Sequence, residues 1–324
     1  MRDLALNLSA VTAVDLGYID LKGKLVGHSF KPIITVHGPV TDDEQVIEDF
    51  GSIKKRIKAA IDDKLTGYDH KLVYDPSVCA VLPSYKTGVS SLSVEDGRLL
   101  VTGDSLAFRP LKFSSLRSTA ITVDRVLCQE LEGYLNSTFQ PLSFEVSSDV
   151  RGEGLMPFMD SSFGTPLTKP LYFSYTHGLP KSSSWGCQFI AHGHFSFIQL
   201  LSDRDYYPMV HHNSDEYLDL EEHVEVALDI ATSMEGSYLV NREYQAKTRT
   251  EIGEYIRYNS RDRGAFELQM STDYMPIIGL DTETTVENIA RYIAARWKDK
   301  LTKTGISALY VSEGLQKGAL VRFD

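Results

Sequence analysis

Residues 189–203 of the chain are FIAHGHFSFIQLLSD, and residues 24–38 are KLVGHSFKPIITVHG. Both stretches are rich in β-branched and aromatic residues with partial alternation, which predicts a strand in each. The two stretches match each other at an offset of roughly 165 residues, the size of a domain. This repetition predicts two structural units of the same kind.

Three further pairs of segments recur in the same order. They are VTAVD (11–15) with FSYTH (173–177), VIEDFGSIKKRIKAAIDD (46–63) with YLDLEEHVEVALDIATSM (217–234), and TVDRVLCQELEGYL (122–135) with TVENIARYIAARW (285–297). Apolar residues at helical spacing predict helices in the last two pairs. A hairpin-like stretch lies between the two helices of each unit, and a strand follows the second helix.

We therefore predict an α+β fold with antiparallel sheets and with the helices on one face. A stretch rich in glycine, serine and proline at 159–170 marks the predicted boundary. The two units are expected to span residues 1–160 and 165–324.

Composition limits the functions to consider. The 324 residues are 42% hydrophobic and 24% charged, which is ordinary for a globular protein and argues against disorder. A net charge of -11 argues against a broad nucleic-acid surface. Because no stretch approaches the ~20 apolar residues of a membrane span, and the N-terminus makes a poor signal peptide, we expect a cytoplasmic protein without a membrane partner.

The HGH segment carries the clearest chemical signal. In a strand, His192 and His194 point to the same face, and Gly193 leaves room behind them. His177 lies on the preceding strand, so a hairpin would bring it beside the other two. Three neutral imidazoles form a normal catalytic zinc set with an open position. Three polar strand residues facing solvent are the alternative, and the third histidine favours the metal.

Three other candidates are weaker on sequence alone. Cys187 lies five residues before His192, where a metal would favour its thiolate, or it is a buried loop cysteine. Asp69 and His70 are adjacent, so the carboxylate could orient a general acid or base, or both face solvent. Glu313 near a strand end could accept two donors from a guanidine-like ring edge, or be exposed.

The ordered set of motifs resembles the 6-pyruvoyl-tetrahydropterin synthase and 6-carboxytetrahydropterin synthase family. The matching segments are FSYTHGLP, CQFIAHGHFSF, TVENIARYI and LYVSEGLQKGALV, with GHSFKPIITVHGP, VIEDFGSIKKRIK and DHKLV in the first unit. The resemblance implies tandem tunnelling-fold (T-fold, ββααββ) units that oligomerise into a barrel. It also implies a pterin-type substrate bound at an interface.

The resemblance assigns roles to particular residues. It implies a Zn²⁺ ion on His177, His192 and His194, and Cys187 as the catalytic cysteine. It implies Asp69 and His70 as the catalytic Asp-His pair. Substrate contacts would come from Glu313, which anchors the pterin, and from Thr285 at a helix start.

Each unit departs from the family pattern in a different way. In the first unit, we align the metal positions with Asp15, Val26 and His28, and the glutamate position with Ser148. In the second unit, the Asp-His position falls at about Gly236-Ser237. Since each unit has lost what the other keeps, we predict one composite site per chain, with the second unit supplying metal, cysteine and anchor.

The resemblance implies a lyase acting on 7,8-dihydroneopterin triphosphate. Side-chain cleavage with loss of acetaldehyde would give 6-carboxy-5,6,7,8-tetrahydropterin, on the 7-deazaguanine (queuosine) branch. Elimination of triphosphate alone would give 6-pyruvoyl-tetrahydropterin. The same motifs would also suit a non-catalytic metal-binding T-fold that serves ligand binding or assembly, or a related enzyme acting on another pterin or purine. A symmetric homo-oligomer is expected in each case.

Overall fold

The computed structural model describes residues 5–9, 11–40, 46–94, 96–113, 120–148, 164–202, 221–315 and 317–323. The first half forms β1 (Ala5–Leu8), β2 (Val14–Ile19), β3 (Leu25–Phe30), β4 (Pro32–His37), α1 (Phe50–Ile61), β5 (Leu72–Tyr74), β6 (Cys79–Pro83), β7 (Val89–Val94), β8 (Leu99–Asp104), β9 (Phe108–Pro110), α2 (Ala120–Thr138) and β10 (Ser143–Ser148).

The second half repeats this general order. It forms β11 (Thr165–Pro166), β12 (Leu171–His177), β13 (His192–Ser202), α3 (Glu221–Met234), β14 (Ser237–Asn241), β15 (Glu254–Ser260), β16 (Gly264–Met270), β17 (Ile277–Leu280), α4 (Val286–Arg296), α5 (Lys298–Lys303), β18 (Ala308–Glu313) and β19 (Lys317–Arg322). The predicted helices and hairpins are therefore present. The predicted boundary at 159–170 lies partly outside the described residues, because 159–163 are not described, and it stays a prediction.

The helices of each half bury their apolar faces against strands of the same half, as their sequences dictate. Helix α1 begins after Asp49, whose side chain accepts a hydrogen bond from the Ser52 amide, and it buries Ile53, Ile57 and Ile61 along one face. Helices α1 and α2 share a core with the first-half strands, and α3 and α4 share one with the second-half strands.

The sheets are mixed, so the prediction of antiparallel sheets was wrong in part. Strand β2 pairs with β3 antiparallel but with β5 parallel, and β5 is parallel to β9. The second half repeats this pattern with β12, β13, β14 and β17. In each half the chain returns to the same end of the sheet between the strands of a parallel pair: the connection contains α1 or α3 in the first pair, and the hairpin strands β6–β8 or β15–β16 in the second.

The two halves are joined by a sheet and by a shared core. Strand β8 of the first half pairs antiparallel with β16 of the second, which makes one five-stranded sheet in the order β15-β16-β8-β7-β6. A third apolar core contains buried residues of both halves, among them Leu25 and Phe189. The first half is therefore packed directly against the region that contains Cys187 and the HGH motif.

Three glycines allow the strands of the two halves to touch backbone to backbone. A Cβ added at Gly27 would lie 1.9 Å from the carbonyl oxygen of Tyr175, and one at Gly17 would lie 2.3 Å from that of Ala191. A Cβ at Gly193 would lie 2.4 Å from the Cα of Gly27. Since only glycine fits at this separation, side chains on β2 can reach the histidines of β12 and β13.

Replacing Gly27 by alanine is expected to destabilise the chain by about 1–3 kcal/mol, because the new methyl group must displace the Tyr175 backbone. Urea denaturation measures the change. Gly133→Ala in α2 is the matched control: no described atom lies within 4 Å of the added Cβ. That helical substitution should stabilise by about 0.5–1 kcal/mol. A Gly27 variant as stable as the parent chain would contradict the close approach.

Among the described residues, no helix has both the length and the apolar character needed to cross a membrane. Assembly into a barrel and a cytoplasmic location stay predictions.

Candidate active site

The hairpin of β12 and β13 brings three histidines together. His177 and His192 are directly opposite each other in the antiparallel register, and His194 follows two residues along the same face. The three side chains are buried, with 0%, 0% and 1% of each residue exposed. This burial rules out the alternative of polar strand residues that face solvent.

The histidine rings point their Nε2 atoms toward one another. Nε2 of His194 lies 3.0 Å from Nε2 of His177, and the ring centroids of His177 and His192 are 4.4 Å apart. On the far side, Nδ1 of His177 lies 3.0 Å from the Thr284 hydroxyl, and Nδ1 of His192 lies 2.7 Å from the carbonyl oxygen of Phe189. A carbonyl can only accept, so Nδ1 of His192 carries the proton and its Nε2 presents a lone pair.

The environment keeps two of these imidazoles neutral. Burial lowers the pKa of His177 and of His192 well below the usual imidazole value, and the neighbouring histidines lower it further. Nε2 of His192 is buried and has no hydrogen-bond partner within the described chain. A buried lone pair without a donor is costly unless it binds a cation.

The donor set fits a divalent metal ion. Within the described residues, two groups of three have ligand atoms that all lie within 4.8 Å of one another: His177, His192 and His194, and a second group of His70, Cys187 and His192. The first group is fully buried, and two of its rings are fixed from behind. Nitrogen ligands of a tetrahedral zinc ion at ~2.0–2.1 Å lie about 3.3 Å apart, close to the observed His177–His194 separation.

The structure places Asp69 and His70 of the first half beside Cys187 of the second. Nε2 of His70 lies 3.3 Å from Sγ of Cys187, and Nδ1 of His70 lies 2.7 Å from Oδ2 of Asp69. The His70 ring centroid is 5.0 Å from that of His192. The three residues thus form a Cys-His-Asp series that borders the histidine trio.

The main chain at His70 has an unusual conformation. Its φ is 53°, in the left-handed region that a non-glycine residue rarely adopts. The His70 amide donates to the Asp15 carbonyl at 2.6 Å, and the Asp15 amide donates to Oδ1 of Asp69 at 3.0 Å. A Cβ at Gly186 would lie 2.7 Å from the His70 ring, so that glycine leaves room for the imidazole. These contacts hold the strained residue in place.

The Cys187–His70 pair favours charge separation. Burial by itself would lower the pKa of His70, but the charge and hydrogen bond of Asp69, together with the hydrogen bond to Cys187, hold it well above the usual value. Burial by itself would raise the pKa of Cys187, but the hydrogen bond and charge of His70 lower it. The geometry therefore suits a thiolate next to an imidazolium.

An arginine supports the loop that carries Cys187. The Arg263 guanidinium carbon lies 3.7 Å from the centroid of the Trp185 ring, and its Nε donates to Oδ2 of Asp104 at 2.9 Å. Its side chain is 0% exposed. Asp104 belongs to the first half, so this contact ties the Cys187 loop to both halves.

Replacing Arg263 by alanine is expected to destabilise the protein by about 3 kcal/mol, because it leaves the largely buried Asp104 carboxylate without its partner. Chemical denaturation followed by circular dichroism tests this. Arg261→Ala, at an exposed position two residues earlier, should change the stability by no more than about 0.5 kcal/mol. Equal effects of the two substitutions would contradict a supporting role for Arg263.

The predicted substrate-contacting residues lie near this centre. Oε1 of Glu313 is 4.0 Å from Nε2 of His194, and Oε2 accepts from Nζ of Lys317 at 2.8 Å. Thr285 is the N-cap of α4, and its side chain makes no capping hydrogen bond. It is its neighbour Thr284, not singled out from the sequence, that is buried and contacts His177.

The strand register corrects the alignment of the two halves. Tyr18 pairs with Val26 as His177 pairs with His192, so the first-half counterpart of His177 is Tyr18 and not Asp15. The counterpart of Asp15 is Ser174. The short β2–β3 turn and the longer β12–β13 loop set these registers. An alignment of the two amino-acid sequences does not show the registers.

The same register corrects the second-half counterpart of the Asp-His pair. The Ser174 amide donates to Glu235 at 2.7 Å, and the Gly236 amide donates to the Ser174 carbonyl at 2.9 Å, as Asp69 and His70 bond Asp15. The counterpart is therefore Glu235-Gly236 rather than Gly236-Ser237. The second half keeps an acid and has a glycine, also at positive φ, in place of the histidine.

Part of the chain is similar to known proteins. Residues 166–323 match the family model of 6-pyruvoyl tetrahydropterin synthase. The chain is similar to a catalytic-residue mutant of Plasmodium vivax 6-pyruvoyltetrahydropterin synthase, with 15% identity, a TM-score of 0.33, and coverage of 45% of this chain and 92% of that chain. The chain is also similar to Plasmodium falciparum 6-pyruvoyl tetrahydropterin synthase, with 18% identity, a TM-score of 0.28, and coverage of 42% of this chain and 83% of that chain. No curated protein gave a match.

Proposed function

We propose, from the match of residues 166–323 to the family model of 6-pyruvoyl tetrahydropterin synthase, that this chain is a zinc-dependent pterin synthase with one composite site built from both halves. Its substrate is 7,8-dihydroneopterin triphosphate, and its product is 6-carboxy-5,6,7,8-tetrahydropterin. The observation that carries the proposal is the contact of Cys187 in one half with His70 in the other, 3.3 Å apart and beside three convergent histidines.

The proton chemistry belongs to the Cys-His-Asp series. Cys187, as the thiolate, removes a proton from the carbon side chain of the substrate. His70, whose Nε2 lies within hydrogen-bond distance of Sγ, first gives its own Nε2 proton to the substrate and then takes the proton from Sγ, which restores the thiolate–imidazolium pair. Asp69 accepts the Nδ1 proton of His70, which keeps Nε2 directed at the sulfur.

The metal is assigned to His177, His192 and His194. When bound there, zinc supplies Lewis acidity to oxygen atoms of the substrate side chain. Burial of the three rings excludes water from this side of the site. The exclusion of water strengthens the electrostatic interactions among the groups that surround the metal position.

Glu313 is proposed to bind the amino-pyrimidine edge of the pterin. A carboxylate that accepts two parallel N–H donors gives a strong, oriented contact with a guanidine-like edge. Lys317 holds Oε2 of Glu313 in the structure, so ring binding requires this ion pair to open or to be shared. Thr285, at the start of α4, is proposed as a further substrate contact.

Product analysis tests the function directly. The zinc-loaded protein is incubated with 7,8-dihydroneopterin triphosphate, and pterins, triphosphate and acetaldehyde are quantified. Equimolar triphosphate, acetaldehyde and 6-carboxytetrahydropterin are expected. Triphosphate without acetaldehyde would identify 6-pyruvoyl-tetrahydropterin as the product instead. Zinc binding without turnover would indicate a non-catalytic module.

A further inference from the structure

Asp15 of the first half extends into the metal centre of the second half. It lies on β2, and 7% of the residue is exposed. Its Oδ1 lies 3.2 Å from Nδ1 of His194 and accepts a hydrogen bond from the Ser29 hydroxyl at 2.6 Å. A Cβ added at Gly314 would lie 2.5 Å from the same Oδ1, so that glycine leaves room for the carboxylate.

Of the three histidines, His194 is the one whose Nδ1 has no hydrogen-bond partner among the described residues. Nδ1 of His177 and of His192 lie within hydrogen-bond distance of Thr284 and Phe189. Nδ1 of His194 is buried and has no hydrogen-bond partner among the described residues, although it lies at ion-pair distance from Asp15. Nε2 of His194 faces His177 and is the atom that would bind the metal, so the ring proton belongs on Nδ1. The carboxylate at ion-pair distance from Nδ1 is that of Asp15.

The position of Asp15 is held from several sides. Its amide and carbonyl groups bond Asp69 and His70, and its carboxylate bonds Ser29. The Ser29 hydroxyl in turn accepts from the amide of Phe195, which follows His194.

The counterpart of Asp15 in the second half is a serine, Ser174. A carboxylate here is therefore a feature of the first half.

We infer that Asp15 is a positioning residue for the metal, which orients the His194 ring and fixes its tautomer through Nδ1. A carboxylate behind a ligating histidine fixes the tautomer of the ring and strengthens the metal bond. The inference rests on the proposed metal centre. It adds that the second half binds its metal tightly only when the first half is packed against it.

The test is zinc affinity, measured on the full chain by competition with a chromophoric chelator. Asp15→Asn is expected to weaken zinc binding by about 10–100-fold. Asp124→Asn is the matched control, because Asp124 is also buried and contacts a histidine, with Oδ1 2.5 Å from Nε2 of His28. His28 is outside the histidine trio, so this control should leave zinc affinity unchanged.

Two further measurements separate positioning from general stability. The visible spectrum of the Co²⁺-loaded protein should shift in the Asp15 variant and not in the Asp124 variant, because it reports the ligand environment. Ser29→Ala should bind zinc less tightly than the parent chain and more tightly than the Asp15 variant. This variant keeps the test decisive if the Asp15 variant does not fold.

The outcomes distinguish the two proposals. If the parent chain binds no zinc, the proposed metal centre is wrong. If the parent chain binds zinc but the Asp15 and Ser29 variants bind it equally well, the inference about Asp15 is wrong while the metal centre stands. An equal loss in the Asp15 and Asp124 variants would also overturn the inference, since it would reflect the fold of the first half.

Discussion

Asparagine in place of His192 is expected to abolish stoichiometric zinc binding and to lower kcat/KM by at least about 10³-fold. The substitution removes one of three buried imidazole ligands. Lewis-acid catalysis by a metal contributes several kcal/mol to a transition state, and each 1.36 kcal/mol is a factor of ten. Metal content by elemental analysis and turnover of 7,8-dihydroneopterin triphosphate provide the two measurements.

His37→Asn is the matched control for this substitution. His37 ends β4, the central strand of the three-stranded sheet β1-β4-β10, and contacts Glu145 on its edge strand. Neither residue belongs to a candidate ligand group among the described residues. Its replacement should leave both zinc content and kcat/KM unchanged. A His192 variant that retains one equivalent of zinc would show that the trio is not the metal site.

Removing either member of the Cys187–His70 pair is expected to lower kcat by about 10²–10⁴-fold while zinc stays bound. Cys187→Ala and His70→Asn are the suitable changes, since asparagine tolerates the left-handed backbone of residue 70 better than most residues. Because the two groups act as a unit, the double variant should be no slower than the slower single variant.

Cys128→Ala controls for the loss of a thiol, because Cys128 lies in the core of the first half. Its kcat should equal that of the parent chain. Multiplicative losses in the Cys187 and His70 double variant would contradict a shared proton path. Full activity of the His70 variant would remove the first half from the catalytic site.

Local patterns in the sequence were enough to select most of the candidate residues. The strand periodicity placed His192 and His194 on one face, and the hairpin connection placed His177 beside them. The contact between Cys187 and His70 joins residues 117 positions apart. It was expected through the resemblance of the two units to one family, because no spacing in the chain indicates it.

The residues that sequence reasoning misplaced depend on strand register. The sequence alignment matches Asp15 to the metal position of His177, but the register gives that position to Tyr18, and Asp15 faces His194 instead. Glu235 was overlooked because the counterpart of His70 was placed one residue too late. A shift of this size changes which side chains face the site, and turns and partner strands decide it.

The sequence by itself determined the repeated order of strands and helices, the histidine trio and the cysteine before it. Each of these follows from backbone periods of 2 or 3.6 residues or from short connections. Only the tertiary structure decided that β2 and β3 touch β12 and β13 through glycines, that β8 pairs with β16, and that Asp15 lies behind His194. Contacts between the halves result from many side chains packing at once, and such packing has no period in the sequence.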